Sequence, residues 1–142
     1  MIPWRCSPYL LVLLLVAMLA YLTASLVYHE FVLEGHRTRI TSELCHIRNE
    51  AANHYQFRKE RNRLPSGFAD IGIEVGRFAD PVSGKPWLWL CDPCGSRKNP
   101  RVAICQPEPY RTWLWPFGHW ERYGLFTDGD IKQIPPFFDK QD

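Results

Sequence analysis

Apolar residues follow three successive patterns along this chain. In the first, twenty residues from Tyr9 to Tyr28 (YLLVLLLVAMLAYLTASLVY) carry no charge. At 1.5 Å per residue such a helix reaches about 30 Å, the thickness of a bilayer's hydrocarbon core. Trp4, Tyr9 and Tyr28 fall near its ends, where amphipathic rings favour the headgroup layer. The pattern predicts a tail over residues 1–8 and a membrane-spanning helix over 9–28. A soluble core helix fits poorly, because the segment has no polar face to turn to water. A cleaved signal peptide is the main rival. Its small-residue rule fails at Ala20, with Met18 two before it, and at Ala24, with Leu22; Ser25 with Thr23 is tolerated.

The second pattern is helical and one-sided. Leu33, Ile40, Leu44, Ile47, Ala51 and Tyr55 recur at spacings of three and four after a first step of seven, and charged or amide side chains fill the gaps. This predicts an amphipathic helix over 29–64, continuous with the anchor or joined to it near Gly35. Leu64-Pro65-Ser66-Gly67 should end it, because proline disfavours helical geometry in the residue before it.

The third pattern, over residues 65–142, is short apolar runs between turn residues. Lys85–Cys91 (KPWLWLC), Arg101–Cys105 (RVAIC) and Tyr123–Thr127 (YGLFT) read as strands, the first two forming a hairpin across the turn-rich Asp92–Pro100. Tyr110–Trp120 reads as an aromatic stretch broken by Pro116 and Gly118, and Ile131–Phe138 as a tail over the domain. The expected fold class is α+β: a long N-terminal helix packed on a small antiparallel sheet.

Composition adds little to this picture. Of 17 basic side chains only Arg5 precedes residue 29, leaving 16 against 15 acidic ones, a balance that gives no reason to expect nucleic acid as a partner. Arginines close behind the span weakly favour an outside N-terminus, but Glu30 and Glu34 intervene. Cysteines at 45, 91, 94 and 105 suit an oxidising compartment. The expected placement is therefore N-terminus in, domain outside the cytoplasm.

The order of elements resembles the type II secretion major pseudopilin, a relative of type IV pilins. Three places carry the likeness: Tyr55 followed by Leu64-Pro65-Ser66; Asp80-Pro81-Val82-Ser83-Gly84-Lys85-Pro86-Trp87-Leu88-Trp89, one residue longer than the family's aromatic Asp-Pro stretch; and Tyr123-Gly124-Leu125-Phe126-Thr127-Asp128-Gly129, similar to its last strand and Asp-Gly turn. The resemblance implies a bacterial inner-membrane protein with a periplasmic domain, partnered by lipid and by other pilin-like or secretion proteins. Two family features are missing: no glycine precedes the apolar run, and the run contains no glutamate. That departure implies a permanent anchor and an accessory role.

Cys91-Asp92-Pro93-Cys94 has the spacing of half a zinc site, which Cys105, His119 or Cys45 would have to complete. The same residues suit a structural disulfide or a thiol pair, and the disulfide reading fits the oxidising location best. Asp128 and Asp130 offer hard oxygens on a turn. The family's calcium binding near this point raises calcium as a ligand, although six to eight oxygens are needed. His29, His36, His46 and His54 on the long helix lack metal-gripping spacing, and the basic run Arg58–Arg63 suits a helix C-terminus. Trp113, Trp115 and Trp120 are candidates for a partner interface. No enzyme motif occurs, and no cofactor is required. A membrane-tethered metal or thiol module, or an envelope protein without a secretion role, is the alternative to a pseudopilin-like component.

Overall fold

The computed structural model describes residues 7–58, 66–74, 78–95, 97–113 and 118–137, with only the backbone course for 55–58. The chain starts as one unbroken helical rod. Helix α1 (Pro8–Val27) passes through a π-helical turn (Tyr28–Leu33) into α2 (Glu34–Arg58). A proline at the first position of α1 is favoured there, since its missing N–H has no partner to lose. Leucines and valines of α1 lie open all round, Leu13 being 71 % exposed, and the helix is long and apolar enough to cross a membrane. The helix is continuous, the first of the two arrangements expected, and Gly35 does not interrupt it. That glycine sits inside α2, and the irregularity lies just before it, where Glu34 N–H donates to His29 O.

The π-turn has a geometric effect on the buried face. Ser25 and Leu33 are both fully buried although eight residues apart. A straight α-helix would set them about 80° apart at 100° per residue. A turn closed by i→i+5 bonds takes up one extra residue and brings both to one side. From Leu33 the stripe continues as expected through Ile40, Leu44, Ile47 and Ala51, each essentially buried. The side chain of Tyr55, the predicted helix stop at Leu64-Pro65, and Lys59–Arg63 of the basic run lie outside the described residues.

A four-stranded antiparallel sheet covers that stripe, in the order β1 (Leu88–Trp89), β2 (Val102–Cys105), β5 (Tyr123–Phe126), β6 (Ile131–Gln133). Leu88 faces Cys105, Cys105 faces Gly124, and Leu125 faces Ile131 across the ladders. Ala103, Ile104 and Leu125 supply buried side chains, and Ile71 and Ile73, in and after a 3₁₀ turn (Phe68–Ile71), close one flank. Alternation in the Trp-Leu run places Trp87 inside, with Trp89 against the core and edge-on to Phe68 at 5.1 Å, while Leu88 is exposed. Gly124 lets β2 and β5 approach: a Cβ there would meet Ile104 O at 3.3 Å and Val102 Cγ1 at 3.1 Å.

Two expectations need correction. The segment taken as a tail is strand β6, which returns along β5 after the turn at Asp128-Gly129, where Gly129 has φ +90°. The aromatic stretch contains a second antiparallel pair, β3 (Tyr110–Arg111) with β4 (Trp120–Glu121), Tyr110 facing Glu121 and Arg111 facing Trp120.

The helix–sheet contact is the core, so truncating it should unfold the domain. Leu44→Ala should lower stability by about 2–5 kcal/mol, read as earlier loss of near-UV tryptophan dichroism on heating the full chain in nanodiscs. Leu13→Ala, on the open part of α1, should leave that transition in place.

Candidate functional site

A buried carboxylate, Glu121, lies on the ribbon formed by β3 and β4. Its side chain is 4 % exposed and lies against α2. Arg37 donates to both oxygens, Nη2 to Oε1 at 2.6 Å and Nε to Oε2 at 3.1 Å. Tyr110 OH donates to Oε2 at 3.0 Å, and His119 Nε2 lies 3.3 Å from Oε1. An ionised carboxylate offers about four acceptor positions, and here they are taken up by Arg37, Tyr110 and His119. Arg37 also reaches Glu34 Oε1 with Nη1 at 2.7 Å, one helical turn away.

The electrostatics follow from this wiring. Burial works against the charge on Glu121, but hydrogen bonds from Arg37 and Tyr110 and the arginine's charge outweigh it and hold the carboxyl below its ordinary range. The hydrogen bond to Glu121 holds Arg37 protonated well beyond its ordinary value. Burial, followed by the neighbouring Glu121 charge, pushes Tyr110 well up, so its hydroxyl remains a donor. The group is a charge-assisted clamp between helix and ribbon.

Beside the clamp, on the side toward α1, is a cleft of about 300 Å³ lined by His29, Leu33, Arg37, Thr112, Trp113 and His119. His29 lies 5.8 Å from Trp113 ring to ring, and Tyr28 OH donates to Arg111 O at 3.1 Å. Gly118 has φ +103°, and a Cβ there would fall 2.5 Å from Trp113 Cβ, so the hairpin end requires glycine. Trp113 therefore packs against the helix, Trp120 is 40 % exposed with Arg111 over its ring at 5.2 Å, and Trp115 lies outside the described residues.

The remaining candidates are dispersed. Cys45, Cys91, Cys94 and Cys105 are free thiols, which departs from the disulfide expectation. The β1–β2 register explains part of this. Cys91 N–H donates to Ala103 O, two residues short of Cys105, so by strand rise and spacing their Cα atoms are about 8 Å apart, beyond the reach of about 7 Å that a disulfide allows. Cys91 Sγ lies 3.6 Å from Val102 O instead. Burial raises the thiol pKa of Cys91, Cys94 and Cys105, which keeps them protonated and weakly nucleophilic at neutral pH.

Asp130 pairs with Lys132 at 2.9 Å and Asp128 with the same ammonium at 3.8 Å, while Asp128 Oδ1 also accepts from Asp130 N. The two carboxylates proposed for calcium are thus balanced by lysine. Among the described residues no three His, Cys, Asp or Glu side chains converge as a metal site would require. The helix histidines pack on the domain: His36 sits 6.2 Å from Tyr110 and His46 4.8 Å from Phe78.

Buried polar residues that sequence reasoning passed over carry most of the architecture. Asp80 is fully buried. Its carboxylate accepts from Ser83 N at 3.0 Å, Ser83 Oγ at 2.6 Å and Gln106 Nε2 at 2.9 Å. Arg122 donates Nε to Gln106 O at 2.8 Å and Nη2 to Pro107 O at 3.3 Å. The signals were present but thin: Glu34 and Arg37 at helical spacing, and an acid set among aromatics in His119-Trp120-Glu121-Arg122-Tyr123. No family model, curated protein or solved structure matches the chain.

Removing the buried charge should weaken the fold and change its acid response. Glu121→Gln should cost about 2–3 kcal/mol, because Arg37 loses the buried one of its two counter-charges and keeps only the exposed Glu34. Since the folded-state pKa of Glu121 is lowered, its contribution is present above the unfolded value of about 4.3 and lost as pH falls through the folded value. Thermal unfolding of wild type should therefore fall more steeply on acidification than that of Glu121→Gln.

Proposed function

We propose that the chain is a single-pass protein of the bacterial inner membrane, with a cytoplasmic N-terminus and a periplasmic pseudopilin-like domain. In this reading it is a structural, partner-binding component of a type II secretion or type IV pilus-like apparatus. The observation that carries the proposal is the unbroken helix from Pro8 to Arg58, apolar on every face for its first part and clasped by an antiparallel sheet along one stripe thereafter. Such a rod offers lipid-embedded surface for packing against other helices while the sheet fixes a head group of the protein outside the bilayer.

The Asp-Pro stretch supports the same reading. Asp80 closes its own turn through Ser83 and ties it to Gln106 at the end of the central strand β2, so this segment of the resemblance is a buried structural device. The mechanism is packing: helices associate in the membrane, and the domain presents its surface to neighbours. Because the span bears no acid, association would rest on side-chain fit.

Two measurements test this. Deleting the gene should reduce type II secretion or piliation in the source bacterium, and unchanged secretion and piliation would remove the proposed role. Alkaline phosphatase fused to the C-terminus should be active, since it needs an oxidising compartment, whereas an inactive fusion of normal abundance would reverse the orientation.

A further inference from the structure

The ribbon of β3 and β4 points at the membrane. Tyr110 and Glu121 stand at the level of His36 and Arg37, and three residues on Trp113 stands at the level of His29. Two lengths measure the descent. From Arg37 to His29 along the helix is on the order of 10 Å. From Tyr110 to Trp113 at strand rise is also about 10 Å. Agreement between them means that the ribbon runs along the helix axis, with its hairpin end toward the span. Tyr28, the last residue of the uncharged run, is bonded to it through Arg111 O. Packing reaches still lower, because Ser25 has no exposed surface while Leu22 and Leu26 beside it are open, and a lone helix does not bury its own side chain fully.

The residues at this height have the chemistry of a headgroup layer. Trp120 is 40 % exposed and Phe31, on the π-turn, 78 % exposed, so large rings lie open just beyond the apolar run. Arg111 stacks on Trp120, which leaves a guanidinium beside an exposed indole. In water these open rings are costly; between acyl chains and phosphates they are favoured.

We propose that the β3–β4 ribbon is a second membrane anchor, with Trp113 and Trp120 as interfacial aromatics seated in the lipid headgroup layer beside the spanning helix. The anchor fixes the height and rotation of the domain over the bilayer. It rests on the membrane-spanning part of the reading above and is independent of a secretion role.

The test uses the full chain in phosphatidylcholine nanodiscs, labelled with fluorotryptophan and methyl-labelled methionine. Trp113→Phe, Trp120→Phe and Trp87→Phe each remove one fluorine NMR resonance and assign it, and the other tryptophan signals show that each variant stays folded. A nitroxide carried at the glycerol end of the acyl chain should erase the Trp113 and Trp120 resonances and spare the buried Trp87. If Trp113 and Trp120 survive that lipid but vanish with an aqueous gadolinium chelate, the ribbon hangs in water and the proposal fails. Survival in both agents means that protein covers the rings, and the proposal fails in favour of a partner or a second copy. Met18, open in the middle of α1, should be erased by a mid-chain nitroxide. Its survival would overturn the span and the second anchor together.

Discussion

One continuous helix changes from apolar all round to apolar along one stripe, and the rest of the molecule is arranged around that change. Over α1, long and apolar enough to cross a membrane, Ser25 is the one buried residue. Over α2 water is the medium, and an apolar stripe left open would cost about 25 cal/mol for each square ångström exposed. The sheet exists to cover that stripe. Its buried residues Ala103, Ile104 and Leu125 share one apolar core with Leu33 to Ala51, which Ile71, Ile73 and Trp87 complete. The changeover is confined to the π-turn, which also keeps the covered face in line with Ser25.

Apolar contact alone does not fix how the sheet sits on the helix, because the force is non-directional and a stripe tolerates sliding. The polar groups set the register. Arg37 and Glu121 lock one level of the helix to the ribbon with geometry that neither translation nor rotation preserves. Asp80, Gln106 and Arg122 do the same inside the domain, joining the turn after Ala79 to the centre of the sheet. Desolvating such groups offsets much of what their bonds return, so their contribution lies in selecting one arrangement as much as in strengthening it.

Much of this was legible in the sequence, for physical reasons. The uncharged run and the apolar stripe are signals spread over many residues, and both fall on helix where expected, the first on a helix long and apolar enough to cross a membrane. Trp87 and Leu88 divide between inside and outside as strand alternation requires. The failures are of a different kind. Strand β6 looked like a tail because Pro135 and Pro136 follow it closely, and the ribbon looked like loop because Pro116 and Gly118 interrupt its aromatics. Strands β3, β4 and β6 are only two or three residues long, too short for period-2 patterning to register. The clamp was invisible for a similar reason: Arg37 and Glu121 are 84 residues apart, and nothing in either neighbourhood names the other. For the cysteines, spacing suggested pairing, but ladder register placed Cys105 out of reach of Cys91.

The neck of the ribbon has a separate consequence. The chain leaves the four-stranded sheet after Cys105 and rejoins it at Tyr123, and Gln106 staples the gap: its N–H donates to Tyr123 O at 3.0 Å and its Oε1 accepts from Tyr123 N at 2.8 Å. Strands β2 and β5 are thus neighbours whatever happens between them. The excursion behaves as a cassette, closed at its base, so insertions or swaps beyond Thr112 and His119 leave the staple and Glu121 untouched.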